Sequence, residues 1–199
     1  MMPFTFAILA TVLGYTWMAK PLLPDVYVAV PAAIVVALGV WHDLRTGEWG
    51  VAPDALWGAV RASAIFTVVA LVVLLGAGAA LGTLRLQMDT AGHVALLVMW
   101  DAAQQWLLQT VFLREAQRAT SRRAGQLLAP LCFAALHLPN PFLAAATLAG
   151  ALVWCAIYDR YPNILPLACS HAIATLAILG AFDSATIGGL QIGLAYLKR

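Results

Sequence analysis

In this chain of 199 residues, 63% are hydrophobic and only 10% charged, far from the soluble balance of about half apolar and a quarter charged. That composition excludes an ordinary soluble domain and assigns the chain to lipid. A formal charge of +2 from scattered basic residues excludes a nucleic-acid surface, and Cys132, Cys155 and Cys169 sit in apolar runs without CxxC spacing, which excludes a disulfide framework or a zinc knuckle.

Apolar runs separated by polar breaks predict an all-α fold, a polytopic transmembrane helical bundle of about eight spans forming a single integral membrane domain over 1–199. The first, near 4–19, lacks a preceding basic region and reads as a membrane helix rather than a cleaved signal. The second covers 26–41. Residues 42–56 mix Asp43, Arg45, Glu48 and Trp49 and lead into Trp57, the pattern of a segment at the lipid surface with Trp anchors. Further spans follow at 57–82, 91–113, 126–138, 142–158, 164–182 and 186–197, the fifth and last being short. Arg114, Arg118, Arg122 and Arg123 crowd the loop after the fourth span. Placing that loop in the cytoplasm also brings Arg45, Arg61, Arg160, Lys198 and Arg199 to the cytoplasmic face and leaves Lys20 and Arg85 outside, with both termini cytoplasmic.

Polar side chains inside spans are costly and face a cavity or one another. Asp101, Gln104, Gln105 and Gln109 share one arc of the fourth span at about 100° per residue. His137 ends the fifth span, and His171 in the seventh is followed one turn later by Thr175. At about 1.5 Å per residue, Gln104 and Gln105 lie roughly 14 Å deep, His137 roughly 17 Å and His171 roughly 11 Å, so imidazoles and amides converge on one level.

These residues resemble the CPBP family, the CAAX-protease and Abi membrane peptidases that include the type II CAAX prenyl endopeptidases. The resemblance covers roughly 95–180 within a peptidase-like core of about 91–182. The family carries EExxxR on one helix, then FxxxH, then HxxxN or HxxxD. Phe133 and His137 fit the second motif in FAALH, and His171 opens HAIAT where the third belongs. The first motif departs, because QQWLLQ, Gln104 to Gln109, replaces both acids and the Arg by Gln. Carried over by position, the resemblance gives Gln104 the base position, Gln105 the second acid, Gln109 the Arg, His137 the water-activating position, and His171 with Thr175 the oxyanion positions. It also implies a bacterial inner (cytoplasmic) membrane, with no cofactor or metal.

A neutral amide cannot take a proton from attacking water, and general-base help is worth about 10² to 10⁴ in rate, so Gln104 predicts a crippled hydrolase. Losing the acids and the Arg together avoids stranding a buried cation. Asp101, one turn earlier, is the one candidate replacement base, whereas Glu115 lies near the boundary and is expected to pair with Arg118 or Arg122. Three functions compete. One is an active intramembrane endopeptidase using Asp101, His137 and His171. Another is a pseudoprotease whose cavity holds a membrane protein, a lipidated peptide or a membrane lipid, as an accessory subunit of a membrane complex. The third is a metal transporter, which no strong ligand spacing supports.

Overall fold

The computed structural model describes residues 2–85 and 91–198, apart from the side chains of residues 25, 91 and 93. The expected cytoplasmic placement of Arg199 lies outside them. The described residues form ten α-helices: α1 (Pro3–Gly14), α2 (Ala29–Thr46), α3 (Leu56–Ala80), α4 (Ala91–Trp106), α5 (Arg114–Ala119), α6 (Arg122–Ala135), α7 (Pro141–Arg160), α8 (Ile164–Ala181), α9 (Ser184–Ile187) and α10 (Leu194–Leu197). Among the described residues there is no strand, only an isolated bridge between Val51 and Asn163.

Four of the described helices are long and apolar enough to cross a bilayer: Val26–Thr46, Pro53–Ala80, Pro141–Arg160 and Ile164–Ala181. They make this an integral membrane protein. Their outer faces are apolar and uncovered, as with Ile65 and Val72 of α3, each 69% exposed, which suits hydrocarbon rather than water. The other expected spans are shorter or change winding. Pro3–Ala19 ends in a π-helical turn from Tyr15 to Ala19, and α4 runs directly into a π-helical stretch, Leu107–Leu113. With 14 residues, α6 reaches only about 21 Å. The span expected at 186–197 is not one helix: Gly188, Gly189 and Gly193 have φ of 65°, 58° and 61°, and these left-handed residues divide the segment into short turns.

The chain divides into two compact units, each discontinuous in sequence. One comprises Met1–Trp49, Leu107–Cys155 and Leu190–Arg199, the other Gly50–Trp106 and Ala156–Gly189.

In the first unit α1 packs on α2, and the start of α1 is held by a residue far along the chain. Glu115 of α5 accepts from the backbone amides of Thr5 at 2.7 Å and Phe4 at 3.3 Å. Helix N-terminal amides have no intrahelical partner and carry partial positive charge, so a buried carboxylate there satisfies donors and opposes the dipole. The expectation that Glu115 pairs with Arg118 or Arg122 is therefore corrected; Arg118 bonds Glu48 instead, at 3.2 Å. Ser121 caps α6 by accepting from the Ala124 amide at 3.1 Å. Gly125 permits the turn back from α5, since a Cβ there would meet the Gln117 backbone at 2.6 Å. The C-terminal segment is tied to the turn before α7, with Asn140 donating to the Gln191 carbonyl at 3.1 Å and the Gly193 amide to the Leu138 carbonyl at 2.9 Å.

In the second unit α3 and α8 start from a common anchor. The amides of Ile164 and Ala52 donate to the carbonyls of Gly50 and Pro162 at 2.9 and 3.0 Å. Asn163 caps α8 through its side-chain oxygen on the Leu165 amide at 3.2 Å, while its amide nitrogen donates to the Ala52 carbonyl at 3.1 Å. From there the helices run parallel in close contact. The hydroxyls of Thr67 and Ser170 are hydrogen-bonded at 2.8 Å, and further along Gly78 lies against the Ala181 carbonyl so closely that a Cβ would come within 2.3 Å of its oxygen. Small residues and hydroxyl bridges of this kind allow helices to approach where lipid supplies no hydrophobic drive.

Glu115→Ala should lower unfolding stability by about 1.5–3 kcal/mol, the worth of hydrogen bonds to a charged group, measured by thermal unfolding in detergent. An unchanged transition would show that these bonds contribute nothing. Asp183, just beyond α8, caps α9, and its carboxyl is held below the ordinary aspartate value by the hydroxyl and then the amide of Thr186, with Arg85 adding to the effect. A depressed folded pKa gives stability that is present above the unfolded value of about 3.9 and is lost as pH falls through the lower folded value. Amide exchange at Thr186 should thus stay slow down to about pH 4 and quicken below it.

Candidate functional site

Within the second unit, α4 and α8 pack antiparallel and bring five polar side chains together. Gln105, fully buried, places Nε2 3.3 Å from Nδ1 of His171. Asp101, also buried, lies with Oδ1 3.9 Å from Nε2 of His171 and accepts from Gln104 Nε2 at 3.3 Å. Thr175 donates to the His171 carbonyl at 3.1 Å, with its hydroxyl within reach of the Asp101 carboxyl as well. With the Gln105 amide nitrogen as donor, Nδ1 of His171 is the acceptor and the ring proton sits on Nε2, facing Asp101. The two amides therefore serve two masters: Gln104 holds the carboxylate and Gln105 holds the imidazole.

Register explains the arrangement. Asn163 fixes the first turn of α8, so His171 falls about two turns in, roughly 12 Å along the axis. On α4, Asp101 and Gln105 are four residues apart and lie on one face, with Gln104 beside them. Asp101 Oδ2 is buried and makes no hydrogen bond among the described residues. It is an acceptor that a donor on a bound molecule could use.

His137 and Gln109 belong to the first unit. His137 follows α6 and is half-buried, with Nδ1 3.0 Å from the carbonyl of Phe133 one turn earlier. A carbonyl only accepts, so Nδ1 carries a proton, and in the neutral ring Nε2 keeps its lone pair. The Phe133 ring stands edge-on to the imidazole, with centroids 5.1 Å apart. Gln109 is fully buried in the π-helical stretch Leu107–Leu113, where i→i+5 winding replaces the α geometry that places positions 105 and 109 on one arc.

Two features escape a motif-based reading. Ser170 and Thr67 brace α8 immediately beside His171, and Thr67 also bonds the Ser63 carbonyl at 2.7 Å. The signal available was hydroxyls four apart on α3 at Ser63 and Thr67, which are common in membrane helices and carry no chemistry of their own. The carbonyl that orients His137 is a backbone group and leaves no trace in composition.

This is the geometry of a membrane helical protein with an amide-, carboxylate- and imidazole-bearing polar centre. Residues 92–177 match the family model described as Rce1-like, type II CAAX prenyl endopeptidase Rce1-like, and this match supports membership of the CPBP/CAAX-protease family. The matched segment contains the positions that the resemblance assigns to the three motifs, from Gln104 to Thr175. No curated protein matches the chain, and no solved structure does.

Gln105→Leu should leave His171 Nδ1 without its donor and cost about 1–3 kcal/mol. Nitrogen-15 spectra of the His171 ring should show the Nε2–H tautomer in the parent chain and a mixture in the variant; identical spectra would show that Gln105 does not set the tautomer.

Proposed function

We propose that this CAAX-protease-family membrane protein is a non-hydrolytic member, which keeps the family's polar intramembrane centre to bind a membrane peptide or lipidated partner. One observation carries the reading. At the two positions where the family has glutamates, Gln104 and Gln105 stand as amides whose hydrogens are given to Asp101 and His171. An amide so engaged has no basic lone pair for water, and peptide hydrolysis without a general base forfeits about 10² to 10⁴ in rate. What remains is a set of buried donors and acceptors able to hold a peptide backbone or the carbonyl and amide groups near a lipid anchor. A site of that kind suits an accessory subunit of a membrane complex, in a bacterial inner membrane with both termini cytoplasmic.

A second reading, favoured by the unbonded Oδ2 of Asp101 and by the nearness of its other oxygen to His171, keeps an active endopeptidase with Asp101 as base in company with His137 and His171. The carboxylate can accept the proton that Gln104 cannot.

Incubation of the purified chain with membrane and prenylated peptides, read by mass spectrometry, separates the two. The first reading expects intact peptides that remain bound to the protein. Cleavage that falls about 10²-fold or more in both Asp101→Asn and His137→Ala would overturn it in favour of the second.

A further inference from the structure

We propose, independently of the reading of the polar centre, that the turn opened by His137 is a docking position for an extended peptide segment. The chain's own residues 191–193 occupy it as an internal stand-in, which such a peptide displaces. The residues concerned all belong to the first unit.

The turn runs from His137 to Asn140 and is closed by the Asn140 backbone amide, which donates to the His137 carbonyl at 3.1 Å. Asn140 is buried, and its side chain works in two directions. Its oxygen accepts from the Leu143 amide at 3.1 Å and so caps the start of α7, while its nitrogen donates to the Gln191 carbonyl, also at 3.1 Å. Two residues earlier on the turn, the Leu138 carbonyl accepts from the Gly193 amide at 2.9 Å. The turn thus offers one donor and one acceptor, and residues 191 and 193 meet them with one carbonyl and one amide.

That spacing belongs to an extended peptide. In an extended chain the carbonyl of one residue and the amide of the residue two further on point to the same edge, and this is the pair that a strand presents to a partner. Neither group depends on a side chain, and Gln191 itself is exposed. Another extended peptide can present the same pair, as in recognition where main-chain hydrogen bonds give affinity and side-chain fit gives selectivity. Selectivity here comes from the third position. A Cβ on Gly193 would come within 2.5 Å of the Thr16 carbonyl oxygen, so that position admits glycine alone.

The resident segment holds its place against its own backbone. Leu190 has φ of 55°, a left-handed conformation that a leucine side chain resists. Gly193 has φ of 61° with ψ of −147°, which side chains rarely adopt. A free peptide that begins at the position of Gln191 carries no strained leucine. The advantage of the resident segment is its tether, which gives it a high effective concentration at the turn.

The test uses the full chain in nanodiscs and a fluorophore-labelled peptide of residues 191–196, QIGLAY, with binding read by anisotropy. Gly193→Ala in the chain unseats the resident segment and leaves the turn intact, so this variant should bind the peptide about tenfold more tightly than the parent, or better. Adding Asn140→Asp, which keeps the cap on α7 and removes the donor, should abolish the gain, and so should a peptide carrying Gly193→Val. In the parent chain, saturating peptide should speed hydrogen exchange at the Gly193 amide, a measurement that decides the matter if the variant folds poorly. Three results overturn the proposal: binding by a Gly193→Ala chain of parent-like helicity that is no tighter than the parent's, a gain that survives Asn140→Asp, or Gly193 exchange in the parent that ignores the peptide. None of them bears on whether peptides are held or cut at the polar centre.

Discussion

A polar side chain buried in an apolar helical protein must find its hydrogen bonds within the protein, and most of the internal architecture follows from that requirement. Lipid offers no donors or acceptors, so each amide, hydroxyl and imidazole on a helix face dictates a neighbour. In the second unit Gln105 dictates His171, Gln104 dictates Asp101, and Thr67 dictates Ser170. The helices are not held by apolar contact alone; they are indexed to one another by these pairs. Asn163 sets the starting point, because one side chain both caps α8 and reaches the segment that leads into α3.

On the reading proposed above, this chain departs from the family's chemistry at Gln104 and Gln105. A glutamate pair in apolar surroundings is justified when it can share charge with a base, an arginine or a substrate. Two glutamines at those positions carry the same shape and the same hydrogen-bonding reach with no charge to solvate. The result is a polar centre in which the two amides engage Asp101 and His171 while Oδ2 of Asp101 makes no hydrogen bond among the described residues. Binding requires that kind of preorganisation, and hydrolysis requires more.

Much of this was legible in the chain before its structure. Apolar length identified the long helices, because bilayer thickness admits few solutions. Helical spacing put Asp101, Gln104, Gln105 and Gln109 on one arc, since four residues of α-helix return a side chain to the same face, and depth was expected to bring Gln104, Gln105, His137 and His171 to one level; the structure groups Asp101, Gln104, Gln105 and His171 in the second unit, while His137 and Gln109 belong to the first. The breaks in 186–197 were hidden because Gly188, Gly189 and Gly193 read as apolar in a hydropathy sum, although their positive φ values end a helix. The π winding at Leu107–Leu113 was hidden for a related reason, as Leu, Val and Phe suit either winding and only their packing selects one. Glu115 was misplaced because sequence neighbours on a helix suggest local pairs, while the unsatisfied amides of α1 lie about 110 positions away in the chain.

The hold that Phe133 keeps on His137 runs through a main-chain oxygen, which every amino acid possesses. Mutation at 133 can alter the aromatic edge against which the imidazole rests, yet it leaves untouched the atom that decides which nitrogen bears hydrogen. The protonation pattern of that ring is thus inherited from the coiling of the polypeptide itself, and drift in neighbouring side chains does not erode it.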